Sequence, residues 1–292
     1  MTAGFLTIDK PGGISSNRVV SEVRKATGIK KVGHAGTLDP MATGAVVAAI
    51  GPVTRLIKYI QDQEKEYVAT ALFGVATDTL DADGAVLTRE PMSFRPEEVV
   101  EVAGRFVGTI CQVPPMVSAL KHEGRRLYEL AREGVVIERD ARPVEIHELE
   151  ILGVGAPPYP EITFRVVCGK GTYVRSLADD LASALGGRAH LTALRRTRIG
   201  TLTLEKDGLR LDEIGDWAEK LMSPADALQR LPSIVVGEET ARGVRHGMRF
   251  LASELAGAPE GMPTRVLDQN GRLLAVYRRD GDHARPEVVV PQ

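Results

Sequence analysis

Residues 32–44 fit neither the 3.6-residue period of a helix nor the two-residue alternation of a strand. Gly33, Gly36 and Gly44 fall within Gly33-His34-Ala35-Gly36-Thr37-Leu38-Asp39-Pro40-Met41-Ala42-Thr43-Gly44, and glycine opens backbone geometries closed to other residues. Pro40 fixes its own φ and disfavours helix at Asp39. The segment therefore predicts a loop, followed by an apolar buried strand over residues 45–50. A carboxylate on a stiffened loop, beside a histidine and backbone N–H groups, suits a catalytic or ligand role. A plain Asp-Pro turn is the structural alternative. The loop has no Lys-Ser/Thr of a phosphate-binding P-loop and does not match the dinucleotide fingerprint.

On either side the two regular periods interleave. Residues 4–9 read as a short strand ending at Pro11-Gly12-Gly13. Ser15, Ser16 and Asn17 are N-cap candidates for a helix with Val19, Val20, Val23 and Ala26 at helical spacing. Pro52 starts a helix to about residue 60, and residues 66–73 alternate weakly as a strand. Residues 77–84 are polar and turn-rich, with Asp78, Asp81 and Asp83. Pro96 suits a first helical position ahead of Val99, Val100, Ala103 and Phe106. A shorter helix is predicted over 127–132 and strands over 144–154 and 161–168. The clearest helix spans 174–185, where Val174, Leu177, Ala178, Leu181, Ala182 and Leu185 form one stripe stopped by Gly186-Gly187. Such interleaving predicts a mixed α/β or α+β domain. A boundary falls near 222–232. Beyond it, short strands at 234–236, 264–268, 273–277 and 287–290, with an Asn270-Gly271 hairpin turn, predict a small β-rich module, a compact barrel in outline.

Composition narrows the function. The chain of 292 residues is 43% hydrophobic and 26% charged, enough for a packed core. No apolar run approaches the ~20 residues of a membrane helix, and MTAGFLTIDKPGG does not read as a secretory signal. Two cysteines, Cys111 and Cys168, exclude a disulfide framework and a four-thiolate metal site; the reducing cytoplasm is the simplest compartment. The net charge of −2 argues against a polyanionic partner, but its distribution argues for one. Residues 1–58 hold eight Lys/Arg against three acids, and residues 165–200 hold seven against two, so each block is +5. Residues 59–104 hold ten acids against three bases. Any single run is ordinarily solvated surface. Two basic blocks, each beside a glycine-rich motif, point to a polyanion.

Three further segments are similar in kind: the basic turn Lys10-Pro11-Gly12-Gly13, Glu64-Lys65-Glu66-Tyr67, and Cys168-Gly169-Lys170-Gly171-Thr172-Tyr173-Val174-Arg175. The last runs from a strand through glycines into a helix start, which suits anion binding. Separately they read as a turn, a surface tyrosine and a helix cap. Together, and in this order, they resemble the TruB family of tRNA pseudouridine synthases. Thr77-Asp78-Thr79-Leu80-Asp81-Ala82-Asp83-Gly84, Pro115-Met116-Val117-Ser118-Ala119-Leu120-Lys121 and Leu194-Arg195-Arg196 extend the resemblance over about residues 4–230. Val117 departs from it, since many members carry an aromatic residue there. The tail resembles a PUA-type RNA-binding module.

The resemblance implies an α+β fold, with a catalytic domain (1–230) around a mixed, largely antiparallel sheet with a central RNA-binding cleft, and a PUA-like domain (231–292). It implies an isomerase that converts uridine to pseudouridine at position 55 in the T arm of tRNA, with no cofactor, no metal, no membrane partner and a monomeric state. Asp39 matches the family's essential aspartate; attack on the sugar, stabilisation of a cationic sugar and removal of a sugar proton all remain open for it. Arg175 would pair with Asp39, and Tyr67 would lie against the base and help remove the C5 proton. Tyr173 and Leu194 would line the pocket, Asp81 would support it, and Lys10 would brace the loops. His34 would take the place of the flipped base. Lys121, Arg125, Arg126, Arg188, Arg195, Arg196 and Arg198, with Arg242, Arg245 and Arg249 on one face of a tail helix, would contact phosphates, giving steep salt dependence. The competing reading is an RNA-binding or tRNA-folding module whose chemistry is dispensable. A third is a sugar-cleaving hydrolase.

Overall fold

The computed structural model describes residues 2–291 other than 119–120, 123, 127–132, 134 and 136, with the side chains of all of these except 121, 122 and 126. The helix expected at 127–132 and the side chain of Lys121 lie outside the described residues.

A ten-stranded mixed sheet organises the first 210 residues. Its strands run in the order Gly208–Arg210, Gly4–Lys10, Thr43–Ile50, Ala189–Ile199, Lys65–Phe73, Glu161–Cys168, Arg142–Val154, Gly108–Gln112. Val32–His34 and Leu202–Thr203 pair alongside. Two pairings are parallel, Gly4–Lys10 with Gly208–Arg210 and Ala189–Ile199 with Thr43–Ile50, and the rest are antiparallel. Lys65–Phe73 shows strict alternation of burial, as a half-covered strand must. Thr43–Ile50 is covered on both faces and reads as an unbroken apolar run.

The helices Ser16–Thr27, Pro96–Gly104 and Val174–Ala184 contribute their apolar stripes to one core. In the last, Val174, Leu177, Ala178, Leu181 and Ala182 are all buried, and Gly186 leaves the helix at φ +86°. After Ile50 the chain makes the 3-10 turn Gly51–Leu56 before the helix Ile57–Gln61, rather than one continuous helix.

Ala189–Ile199 shows no strand signal in the sequence. Register shifts between Leu191 and Ala193 and between Arg196 and Arg198 break its alternation twice. It is nevertheless the junction of the sheet, between Thr43–Ile50 and Lys65–Phe73.

The C-terminal five-stranded sheet runs Ser233–Val235, Pro263–Leu267, Leu273–Asp280, His283–Val289, Phe250–Leu251. Among the described residues the end strands do not pair with each other, so the hydrogen-bonded sheet of this β-rich module is an open path. Gly271, at φ +77°, turns the Pro263–Leu267/Leu273–Asp280 hairpin as predicted. The two sheets share a core in which Phe5, Val47, Leu56, Ile60 and Ile199 cluster with Leu273, Val276, Val288 and Val290. A polar latch sits beside it. Glu287 accepts from the Tyr59 hydroxyl (2.6 Å), Lys58 (3.0 Å) and Arg278 (2.5 Å). No helix of the described residues is long and apolar enough to cross a membrane.

Candidate active site

The loop after Val32–His34 is held from both flanks of Asp39. Ser15 caps the helix Ser16–Thr27, which leaves Ser16 turned inward and buried. The Ser16 hydroxyl accepts the Leu38 N–H (2.8 Å) and donates to the Leu38 carbonyl (3.1 Å). Lys10 is fully buried, and its ammonium donates to the carbonyls of Pro11 (2.9 Å), Ile14 (2.9 Å) and Pro40 (3.1 Å). Burial pulls the Lys10 pKa down to about 8, with Asp39 acting against it. Lys10 thus braces the Pro11-Gly12-Gly13 turn against the Asp39 loop, with its tip spent on carbonyls rather than presented to a substrate.

Arg175, the second residue of Val174–Ala184, is 3% exposed and meets Asp39 there. Its Nε lies 3.0 Å from Asp39 Oδ2 and its Nη1 3.3 Å from Asp81 Oδ2. Nη1 also donates to the Thr79 carbonyl (2.8 Å) and Nη2 to the Val117 carbonyl (2.7 Å). One guanidinium therefore ties together two carboxylates and two remote backbone segments. Only arginine has donors spread over a rigid plane wide enough for this. Asp39 remains 35% exposed, so the carboxylate sits at the mouth of the buried network. Burial raises its pKa, Arg175 lowers it, and Asp81 raises it again.

Asp81 is held in turn. Its Oδ1 accepts from the Thr79 hydroxyl (2.5 Å) and the Asp83 N–H (3.2 Å). Leu80 sits at φ +61°, a left-handed backbone that costs a branched side chain ~1–2 kcal/mol. The Leu191 N–H donates to its carbonyl at 3.0 Å, which docks the turn on the central strand.

That strand supplies the floor. Arg196 opposes Tyr67 in register, and Leu194 lies two residues earlier, buried. Arg196 is 1% exposed and donates to the carbonyls of Ala45 (2.7 Å), Gly36 (3.2 Å) and Thr37 (3.4 Å). It holds the Asp39 loop from below and cannot reach a phosphate, contrary to expectation. Gly44, at φ +106°, permits this approach: a Cβ there would stand 2.2 Å from the Arg196 carbonyl oxygen.

Tyr67 is buried, which pushes its phenol pKa up, with Arg196 opposing and Asp39 adding to the rise. Tyr173, half-buried, is likewise raised by burial and by Asp39, against Ser118 and Arg175. Both phenols thus lie within the field of the Asp39 carboxylate. His34 ends Val32–His34, half-buried, with its Nδ1 buried and unpaired. Burial lowers its pKa, a backbone hydrogen bond at Gly36 raises it and Arg196 lowers it. The balance favours the neutral ring. Lys121 pairs through its backbone with Arg126, and its side chain is outside the described residues.

Other expected phosphate contacts are engaged. Arg188 chelates Asp179 (2.8 and 2.7 Å), Arg195 chelates Asp9 (3.0 and 2.7 Å), and Arg198 meets Glu64 (2.8 Å). Arg125 pairs with Glu133. In the tail the helix Glu238–Arg245 ends at His246, so Arg249 lies beyond it and the three-arginine helix face does not form. Arg242 and Arg249 are exposed, while Arg245 pairs with Glu238 (2.8 Å). Among the described residues no cluster of His, Cys, Asp or Glu is placed to hold a metal ion. Sequence reasoning missed Ser16 and Gln112 as site residues; a serine beside an N-cap and a strand-end glutamine carry no signal of their own.

A family model described as "TruB family pseudouridylate synthase (N terminal domain)" matches residues 24–174, and the "tRNA pseudouridylate synthase B C-terminal domain" matches residues 175–232. The chain belongs to the TruB family. It is 42% identical over 295 residues to tRNA pseudouridine synthase B of Burkholderia pseudomallei (strain 668), covering 98% of this chain and 96% of the relative. The corresponding enzyme of Moorella thermoacetica is 41% identical over 292 residues, covering 97% and 95%. The fold is also similar to a chain in the crystal structure of a Cbf5–Nop10–Gar1 complex, with TM-score 0.78 and 24% identity over 98% of this chain and 84% of that one. A chain of an H/ACA RNP bound to a substrate RNA containing 2'-deoxyuridine gives TM-score 0.75 and 23% identity over 99% and 85%. Both structural likenesses bear on the mixed-sheet fold, and the TruB family carries the activity: the chain is a pseudouridine synthase, an isomerase.

Proposed function

We propose that this TruB-family isomerase acts in the cytoplasm, as a monomer, on uridine 55 in the T arm of tRNA, with Asp39 as the essential group. In this reading residues 1–230 form the catalytic domain and residues 231–292 a PUA-like RNA-binding domain. Uridine isomerisation in tRNA rests on the family and its curated tRNA pseudouridine synthase B relatives. The roles of individual residues rest on the geometry.

The N1–C1′ bond breaks, the uracil turns over, and C5 bonds to C1′. The C5 proton leaves and N1 gains one, so atoms balance without redox change. The observation that carries Asp39 is its carboxylate, partly exposed at 3.0 Å from the buried Arg175. Burial, the largest influence, raises its pKa; the guanidinium opposes that rise, favours the anion and aims it. Attack at the sugar and removal of a sugar proton both need that anion.

Tyr67 is held as a neutral phenol by burial, which suits packing against the base and passing a proton through its oxygen; it does not suit a standing phenolate. In this reading Tyr173 and Leu194 line the pocket for the same base. His34, neutral and with a free Nδ1, suits stacking in the gap left by the flipped base.

The test is nucleoside analysis after incubation with a T-arm stem-loop carrying uridine or cytidine at the target. A carbon-linked isomer is expected only from uridine. Asp39→Asn is expected to abolish product while RNA binding persists. Unchanged product from Asp39→Asn removes the assignment, and free uracil marks a hydrolase instead.

A further inference from the structure

Gln112 ends the edge strand Gly108–Gln112 and is 2% exposed. Its Oε1 accepts the N–H of Tyr173 at 2.7 Å. Tyr173 is the N-cap of Val174–Ala184 and supplies no side-chain cap of its own. In a capping box the third helical residue reaches back to that N–H. Here that residue is Ser176, and its hydroxyl donates instead to the Val113 carbonyl (2.9 Å). A side chain from a remote strand takes its place. With the bond from Arg175 Nη2 to Val117, three contacts clamp residues 112–117 to the first turn of the helix. From that turn Arg175 reaches Asp39.

A backbone N–H only donates, so the Tyr173 contact fixes which way the amide faces. Nε2 must point away, and it is buried without a full hydrogen bond. The Asp180 carboxylate lies nearby, and Gln112 favours its ionised form. Burial first, then Asp179, pushes the Asp180 pKa up to about 6, against Gln112 and Arg188. Asp179 and Arg188 are the charged groups facing it.

We propose that Gln112 is a positioning residue for the reaction: its Oε1 sets the Tyr173 backbone and the helix start that aims Arg175 at Asp39. The inference rests on the functional reading above. Neither Gln112 nor Asp180 touches the substrate in it.

The full chain is assayed with the T-arm stem-loop at saturating enzyme, alongside RNA Kd, from about pH 6 to about pH 8. Gln112→Met leaves the Tyr173 N–H without an acceptor, and its product-forming rate is expected to fall about tenfold with Kd held within about twofold. Gln112→Glu restores the acceptor but sets a second carboxylate against Asp180. Its rate is expected to rise as pH falls and the pair takes up a shared proton. A Gln112→Met rate equal to wild type, or a Gln112→Glu profile parallel to wild type, overturns the proposal. Should Gln112→Met not fold, the Gln112→Glu slope decides alone. Wild-type protein that makes no pseudouridine refutes the functional reading instead, which keeps the two failures apart.

Discussion

The two basic blocks carry the same net charge in sequence and do opposite things in the fold. In residues 165–200 every lysine and arginine is committed. Arg165 meets Glu66, Glu148 and Glu150; Lys170 meets Asp62; Arg175 meets Asp39 and Asp81; Arg188, Arg195 and Arg198 meet Asp179, Asp9 and Glu64. Arg196 is spent on carbonyls. Much of the compensating charge comes from the acidic stretch 59–104, brought alongside because Lys65–Phe73 lies between Ala189–Ile199 and Glu161–Cys168. In residues 1–58, by contrast, Lys25, Lys30, Lys31 and Arg55 are exposed and make no ion pair among the described residues. They stand at the end of Ser16–Thr27, on the loop into Val32–His34 and on the turn Gly51–Leu56. The first kind of charge holds a site in shape. The second is available to a polyanion.

That contrast breaks most sharply at Arg175. Arg175→Lys keeps the charge but cannot serve Asp39, Asp81, Thr79 and Val117 together. Turnover is expected to fall by roughly 10²–10³ while tRNA Kd changes little. A comparable loss in Kd with turnover intact would move Arg175 to the binding class.

Arg196→Met is expected to act on stability. It leaves the buried carbonyl of Ala45 and the partly buried carbonyls of Gly36 and Thr37 without their donor, a loss of about 2–4 kcal/mol in denaturant unfolding, nearly independent of salt. Glutamine in place of Lys25, Lys30, Lys31 and Arg55 together is expected to do the reverse. Unfolding and saturated turnover stay at wild type, while tRNA binding weakens and the slope of log K against log[salt] shrinks by about 0.7–0.9 for each phosphate no longer neutralised. An unchanged slope would make that surface merely solvated.

The smallest expected effect lies at the latch between the sheets. Hydrogen bonds from Tyr59, Arg278 and Lys58 hold the Glu287 pKa down to about 2, against burial. A carboxylate whose folded pKa lies below its unfolded value stabilises the fold at neutral pH, and that stability is lost as pH falls from about 4.5 towards 2. Glu287→Gln is expected to lose stability near pH 7 and to flatten that acid limb, as acid titration of unfolding would show.

Much of the site was legible because its chemistry is local. Gly33–Gly44, Thr77–Gly84 and Gly171–Arg175 are short runs whose glycines, prolines and acids declare irregular backbone, and the helix beginning at Val174 announces itself by its stripe. The central strand was not legible. Two register shifts destroy its alternation, and three arginines disguise it as surface. The braces were not legible either: Ser16 and Gln112 act only because remote backbone arrives at their side chains.

The order of residues alone determined the family, the α+β class, and the loop that displays Asp39, since local backbone preference and short motifs are written within a few residues of each other. Which arginine is a tool, which is a brace and which is free was decided only by tertiary structure. A side chain's charge is cancelled or conserved by whatever lies within a few ångströms of it, and in a sheet those neighbours come from strands more than a hundred residues apart in the chain, as with Arg198 and Glu64.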